Sequence, residues 1–363
     1  MLTVFVIAHV LAAPARRLAL AGAALALLAS VEAVPQPVAG APQPPHTLAE
    51  TGLYADAATR AVDPRHLAFS PQYPLWTDGA AKSRWISLPA GTAIDASDPD
   101  AWVFPVGTRL WKEFSFDGRP VETRYLERTA EGWLYAAYAW DADGRAAVLV
   151  SARGRRNAYP LGNGRAHAIP GVDDCKACHQ GGRSEVLGFS ALQLSPDRDP
   201  NALHAEAASA LDLAVLVEKG LLVGLPRSFL DAPPRIAATA IGRAALGYLH
   251  GNCGHCHNPQ GPLRNLGLYL RHAAGAPVPP AVATTVGAPV RKPAPGLSPE
   301  AVQRVAPHAP DRSALMQRLA SRYAPLQMPP LGTELVDSQA VALIRRWIAE
   351  TDHFTTAADP QEK

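Results

Sequence analysis

The stretch TRLWKEFSFDGRPVETRYLERTAEGWLYAAYAW, residues 108–140, decides the architecture of the first half of this 363-residue chain. Aromatic and β-branched side chains recur in three short runs, Thr108–Phe116, Val121–Arg128 and Trp133–Trp140, which is the composition of strands. Asp117-Gly118 between the first two is a hairpin signal, because a tight two-residue turn needs positive φ at both central residues. Working outward, Arg84–Leu88 and Ala146–Val150 repeat the pattern, and Asp143-Gly144 supplies another turn. Six of the seven tryptophans fall here (Trp76, Trp85, Trp102, Trp111, Trp133 and Trp140) and read as core. The expectation is an antiparallel, sandwich-like β domain over residues 61–165.

Upstream, Arg16 and Arg17 precede 11 uncharged residues, Leu18–Leu28, and Val31-Glu32-Ala33 offers a cleavage site. Residues 1–33 therefore read as a signal peptide that exports the chain to the periplasm. Residues 34–60 read as a Pro/Ala-rich linker. No later segment reaches 18 uncharged apolar residues, which predicts no stable membrane span once the leader is removed. Lys and Arg number 34 against 32 Asp and Glu, so the formal charge of +2 gives no reason to expect nucleic acid. The apolar fraction of 48% excludes wholesale disorder.

Past Tyr159 the strand signals fade. Residues 202–219 carry a helical stripe, Ile236–Leu249 another, and Ser338–Glu350 a third capped by Asp337 or Ser338. Between them lies a proline-rich region at 275–310, part of an unusual total of 35 prolines.

Only four cysteines occur, as two pairs each followed by histidine: Cys175-Lys176-Ala177-Cys178-His179 and Cys253-Gly254-His255-Cys256-His257. This is C-x-x-C-H twice, the attachment signature of c-type haem. The two thiols add across the vinyl groups of one haem, and the adjoining imidazole becomes the proximal iron ligand. The 74 residues between the pairs are too many for a common zinc ribbon. A pair of redox dithiols would not need the histidines. Twelve histidines in 363 residues make their placement after both pairs by chance remote. Two covalently attached c-type haems are expected, on Cys175, Cys178 and His179 and on Cys253, Cys256 and His257.

The order helix, C-x-x-C-H, Gly-Pro-Leu turn at 261–263, methionine loop and closing helix resembles a class I cytochrome c domain over residues 236–355. The resemblance implies Met328, in Gln327-Met328-Pro329-Pro330, as the second haem's axial ligand, and Pro262 as acceptor for its proximal histidine. It also implies a helix crossing built from Gly242, Tyr248 and Trp347. Residues 166–235 form a first haem segment, and 356–363 a tail. His167 and His204 are the candidates for the first haem's sixth ligand. Tyr73-Pro74-Leu75-Trp76-Thr77-Asp78-Gly79-Ala80, Trp111-Lys112-Glu113-Phe114, Val121-Glu122-Thr123-Arg124, Leu187-Gly188-Phe189, Leu192-Gln193-Leu194 and Tyr248–Cys253 extend the likeness. Over residues 60–350 the chain is similar to a poorly characterised family of exported bacterial di-haem c-type cytochromes.

The fold class expected is α+β and multidomain: the N-terminal antiparallel β domain, then mainly α-helical cytochrome c haem segments. The leading function is single-electron transfer between periplasmic redox partners. Residues 236–355 hold 11 Lys and Arg against 6 Asp and Glu, a formal +5 that would steer an acidic partner. The alternatives are a peroxidase-like di-haem oxidoreductase with an open first haem, and a β-domain binding module centred on Asp78.

Overall fold

In the computed structural model of the chain, residues 42–352 are described. The stretches expected to form a signal peptide, 1–33, and a tail, 356–363, lie outside them. The strands run β1 Tyr54–Asp56, β2 Ala61–Val62, β3 Leu67–Ala68, β4 Ala81–Ser87, β5 Ile94–Asp95, β6 Arg109–Phe116, β7 Arg119–Thr129, β8 Gly132–Trp140, β9 Ala147–Leu149, β10 Arg155–Gly162, β11 Arg165–Ile169 and β12 Leu222–Val223. The helices are α1 Val172–His179, α2 Leu213–Glu218, α3 Ser228–Asp231, α4 Ala240–Asn252, α5 Pro280–Thr285, α6 Ala314–Leu319 and α7 Ser338–Glu350.

Six strands make one antiparallel sheet in the order β3-β4-β6-β7-β8-β9. Asp117 and Gly118 turn β6 into β7 with φ of 50° and 76°, the left-handed pair that such a hairpin needs. One face of the sheet carries Trp111, Tyr125 and Tyr138, all buried, against Leu48 and Leu53. The Trp111 indole donates to Thr51 Oγ1 at 2.9 Å. The segment around Leu48 is thus core, although the sequence reads 34–60 as a linker. Burying one such leucine contributes about 1.5–3 kcal/mol, more than a few prolines and alanines signal against. The opposite face looks toward the first C-x-x-C-H motif, on α1.

The structure corrects the expected fold class in two respects. The sheet is not half of a sandwich: among the described residues its companions are only two-stranded ribbons, β1-β2, β10-β11 and the parallel β5-β12. Nor is the second half mainly helical. Of the seven described helices, only α4 and α7 reach 13 residues, and the others span four to eight. Proline, which lacks an amide donor, keeps the 275–310 region in turns. The stripe over 202–219 is helical only from Leu213, because Asp212 caps there and His204 has a left-handed φ of 57°. A further hairpin, β10-β11, crosses the expected boundary at 165 and turns on Asn163-Gly164, with φ of 51° and 71°.

The segments interlock rather than follow one another as beads. Gln72 and Tyr73 exchange hydrogen bonds with Gln193, and the Trp76 amide donates to Asn252 Oδ1 at 2.7 Å. The Tyr73 ring lies against Gly247 so closely that a Cβ there would sit 2.0 Å from it. Trp347 of α7 meets Gly242 of α4 in the core built by these two helices. Tyr73-Pro74-Leu75-Trp76 therefore holds the helix that ends one residue before Cys253.

Candidate functional site

The first motif ends α1, which packs against β8 on the sheet face opposite Leu48. Cys175, Cys178 and His179 line a cavity of about 640 Å³. That volume suits a large organic ligand, for which pockets of roughly 300–1,000 Å³ are usual. Its walls mix Leu110, Leu126, Val186 and Leu187 with Arg84, Lys112 and Arg124. His179 Nδ1 lies 2.6 Å from the Glu185 carbonyl, and the Tyr135 hydroxyl in turn donates to the Glu185 carboxylate. With Nδ1 so committed, Nε2 is the nitrogen left for a metal, the usual arrangement behind a metal-bound imidazole. Burial, against the help of that carbonyl, holds the His179 pKa down to about 4, so the ring is neutral.

The second motif lies directly beside the first. The Asn258 side-chain amide donates to the Gly181 carbonyl at 2.7 Å, and Cys256 Sγ is 3.9 Å from the Ala177 carbonyl. Gly181 must be glycine here, since a Cβ would lie 2.2 Å from the His255 carbonyl. No spacing rule reveals this contact across 74 intervening residues. His255 joins the first motif in lining the cavity, whereas Cys253, Cys256 and His257 lie outside it. Among the described residues, the His255 ring has no hydrogen-bond partner, while burial first and then neighbouring charges lower its pKa to about 4. His257 is buried and its Nδ1 has no partner, so the Pro262 carbonyl does not accept from it. Met328 is half-buried, with its amide donating to the Arg318 carbonyl at 3.0 Å. Arg318 is also the first of the charges that, after burial, depress His257. Pro329 to Glu334, the six residues after Met328, line the cavity of the first motif.

All four cysteines are free thiols. Burial pushes Cys175 and Cys178 up to about 11 and Cys253 up to about 12. Redox dithiols need the opposite shift, toward thiolate. A shared zinc site also lacks its geometry: among the described residues, no three His, Cys, Asp or Glu side chains converge on one point. No family model, curated protein or solved structure matches the chain. The case for a cofactor therefore rests on the residues themselves. The donor set, the fixed His179 ring and the cavity's mixture of apolar and cationic walls fit a haem at the first motif.

The two histidines considered for the sixth position have other partners. His204 Nε2 lies 2.8 Å from Asp337, the residue that caps α7. His167 on β11 lies with Nε2 3.0 Å from Glu122 and Nδ1 3.6 Å from Asp78. Burial opposes its charged form, but the hydrogen bonds to Asp78 and Glu122 outweigh burial and raise its pKa above the ordinary 6.5. Stability from this imidazolium is then fully present below pH 6.5 and is lost as pH rises through the higher folded value. His167→Gln should flatten that alkaline loss in denaturant melts taken across the interval. An unchanged pH slope would show that His167 folds uncharged.

Proposed function

We propose that the chain is an exported di-haem c-type cytochrome that passes single electrons between periplasmic redox proteins. One haem is held by Cys175, Cys178 and His179, the other by Cys253, Cys256, His257 and Met328. The observation that supports this reading is the abutment of the two C-x-x-C-H motifs, so that cofactors attached to both would be neighbours. His255, facing the first motif's cavity with an unpartnered neutral ring, is better suited to close the first iron than His167 or His204. Thioether ligation by Met328 favours a higher potential than bis-histidine ligation, so the haems would differ and give electrons a direction.

Exposed Arg153, Arg155, Arg156 and Arg165 stand at the mouth of the cavity. They would steer an acidic partner toward the first haem, with association that weakens as salt rises. Among the described residues, no helix is long and apolar enough to cross a membrane.

A potentiometric titration tests the reading. Two separate one-electron steps are expected, with Met328→Ala lowering the upper potential and His255→Ala turning the lower-potential haem high-spin. Rapid peroxide turnover by the wild-type protein would instead favour the peroxidase-like alternative.

A further inference from the structure

Arg84 on β4, Lys112 on β6 and Arg124 on β7 are directly opposed in register, Arg84 to Lys112 and Lys112 to Arg124. Opposed residues share a face, so three cations form a row across three strands, and all three line the cavity of the first motif. Like charges facing each other across a sheet are destabilising. Local acids pair with only two of the three. Arg84 Nη1 pairs with Glu206 at 2.6 Å, but its Nη2 is buried without a partner, and the residue is only 6% exposed. Arg124 pairs with Glu122 through Nε at 2.5 Å and Nη2 at 3.2 Å. Lys112 has no carboxylate within ion-pair distance among the described residues and rests 4.8 Å from the Phe114 ring. Lys82, next along β4, donates only to the Ala80 carbonyl. His167 faces Asp78 and Glu122, so the three cations of the row (Arg84, Lys112, Arg124) have two acids against them, Glu206 and Glu122. One positive charge, that of Lys112, is left over, together with the unpartnered Nη2 of Arg84. Burial, then Arg84, Arg124 and Lys82, drive the Lys112 ammonium well below its ordinary range, a conflict that an anion in the cavity would relieve.

We propose that Arg84, Lys112 and Arg124 form a carboxylate-binding row that takes the two propionates of the haem attached at Cys175 and Cys178. This rests on the haem reading above and gives the sheet a role as the wall that anchors the first cofactor's acidic edge. The unpaired Lys112 ammonium and the unpartnered Arg84 Nη2 leave donors free for the propionates, and the apolar walls at Leu110, Leu126 and Val186 suit the ring between them and the thioethers.

The test uses the matured full chain with Lys112→Met and Lys112→Arg. In Lys112→Met, the first haem's potential should fall and its propionate-linked pH transition should rise by about 1 unit or more. The second haem should stay unchanged, and Lys112→Arg should restore both values. If Lys112→Met accumulates poorly, Arg84→Gln gives the same readout. Both haems attached with the first haem's potential and pH transition unaltered in Lys112→Met and Arg84→Gln would overturn the proposal while leaving the haem reading intact. So would a spectral shift at the first haem on adding nitrite or inorganic phosphate to the wild type, lost in Lys112→Met, which would make the row a site for a diffusible anion. A chain that matures without covalent haem would overturn both.

Discussion

A chain carrying Cys175→Ser and Cys178→Ser is expected to mature with one covalent haem instead of two. The serine hydroxyls cannot form thioethers, and His179 alone would have to hold the cofactor. The second motif should keep its haem, because Cys253 packs on the α4–α7 core and its helix is held by Tyr73 and Trp76, none of which the substitutions touch. Internal electron exchange should vanish with the lost haem, leaving a single one-electron step in a redox titration. The reciprocal pair, Cys253→Ser and Cys256→Ser, should leave the first haem with its cationic wall. Absorbance per chain and intact mass measure both. Unchanged haem content in either double variant would show that the cysteines are not attachment sites.

Asp78→Ala should be among the most destabilising single changes on the surface that joins the sheet to the C-terminal loop. Asp78 is 5% exposed. Its Oδ1 accepts from the amides of Glu334 and Leu335 at 2.7 and 2.9 Å, and its Oδ2 faces His167 at 3.6 Å. Alanine strands two backbone donors and leaves His167 with one carboxylate instead of two. Breaking a buried charged pair costs about 3–5 kcal/mol, and that range is expected here in denaturant unfolding. Asp78→Asn keeps an acceptor for the two amides and should lose about half as much. The alanine variant should also loosen the loop that contains Met328 and disturb the second haem's spectrum. A loss within about 0.5 kcal/mol, typical of a surface substitution, would mean that the loop is not held from Asp78. The same geometry gives Asp78 a positioning role and leaves the binding-module alternative without a free carboxylate at that turn.

Strands β4 and β6 to β9 were legible because alternation and Asp117-Gly118 act over a few neighbouring residues. Helix α7 was legible for the same reason, since Asp337 caps it locally by accepting from the Ala340 amide. The stripe over 202–212 does not become helix, and a tertiary bond from His204 to Asp337 holds its start in a different conformation. The β10-β11 hairpin carried its signal in Asn163-Gly164, which its short flanking runs obscured. What the sequence could not show was registration. That Lys112 faces both Arg84 and Arg124 depends on pairing across strands, and that the two C-x-x-C-H motifs touch depends on Asn258 reaching Gly181. His255 reads as part of the second motif, yet it lines the first motif's cavity.

The central claim is two covalent haems in one chain. Intact-mass analysis of the full chain, matured in a cell that ligates haem c, tests it most directly. An added mass of two haems is expected, surviving acid denaturation and disappearing one haem at a time in the paired cysteine variants. A mature chain with the bare polypeptide mass would contradict it.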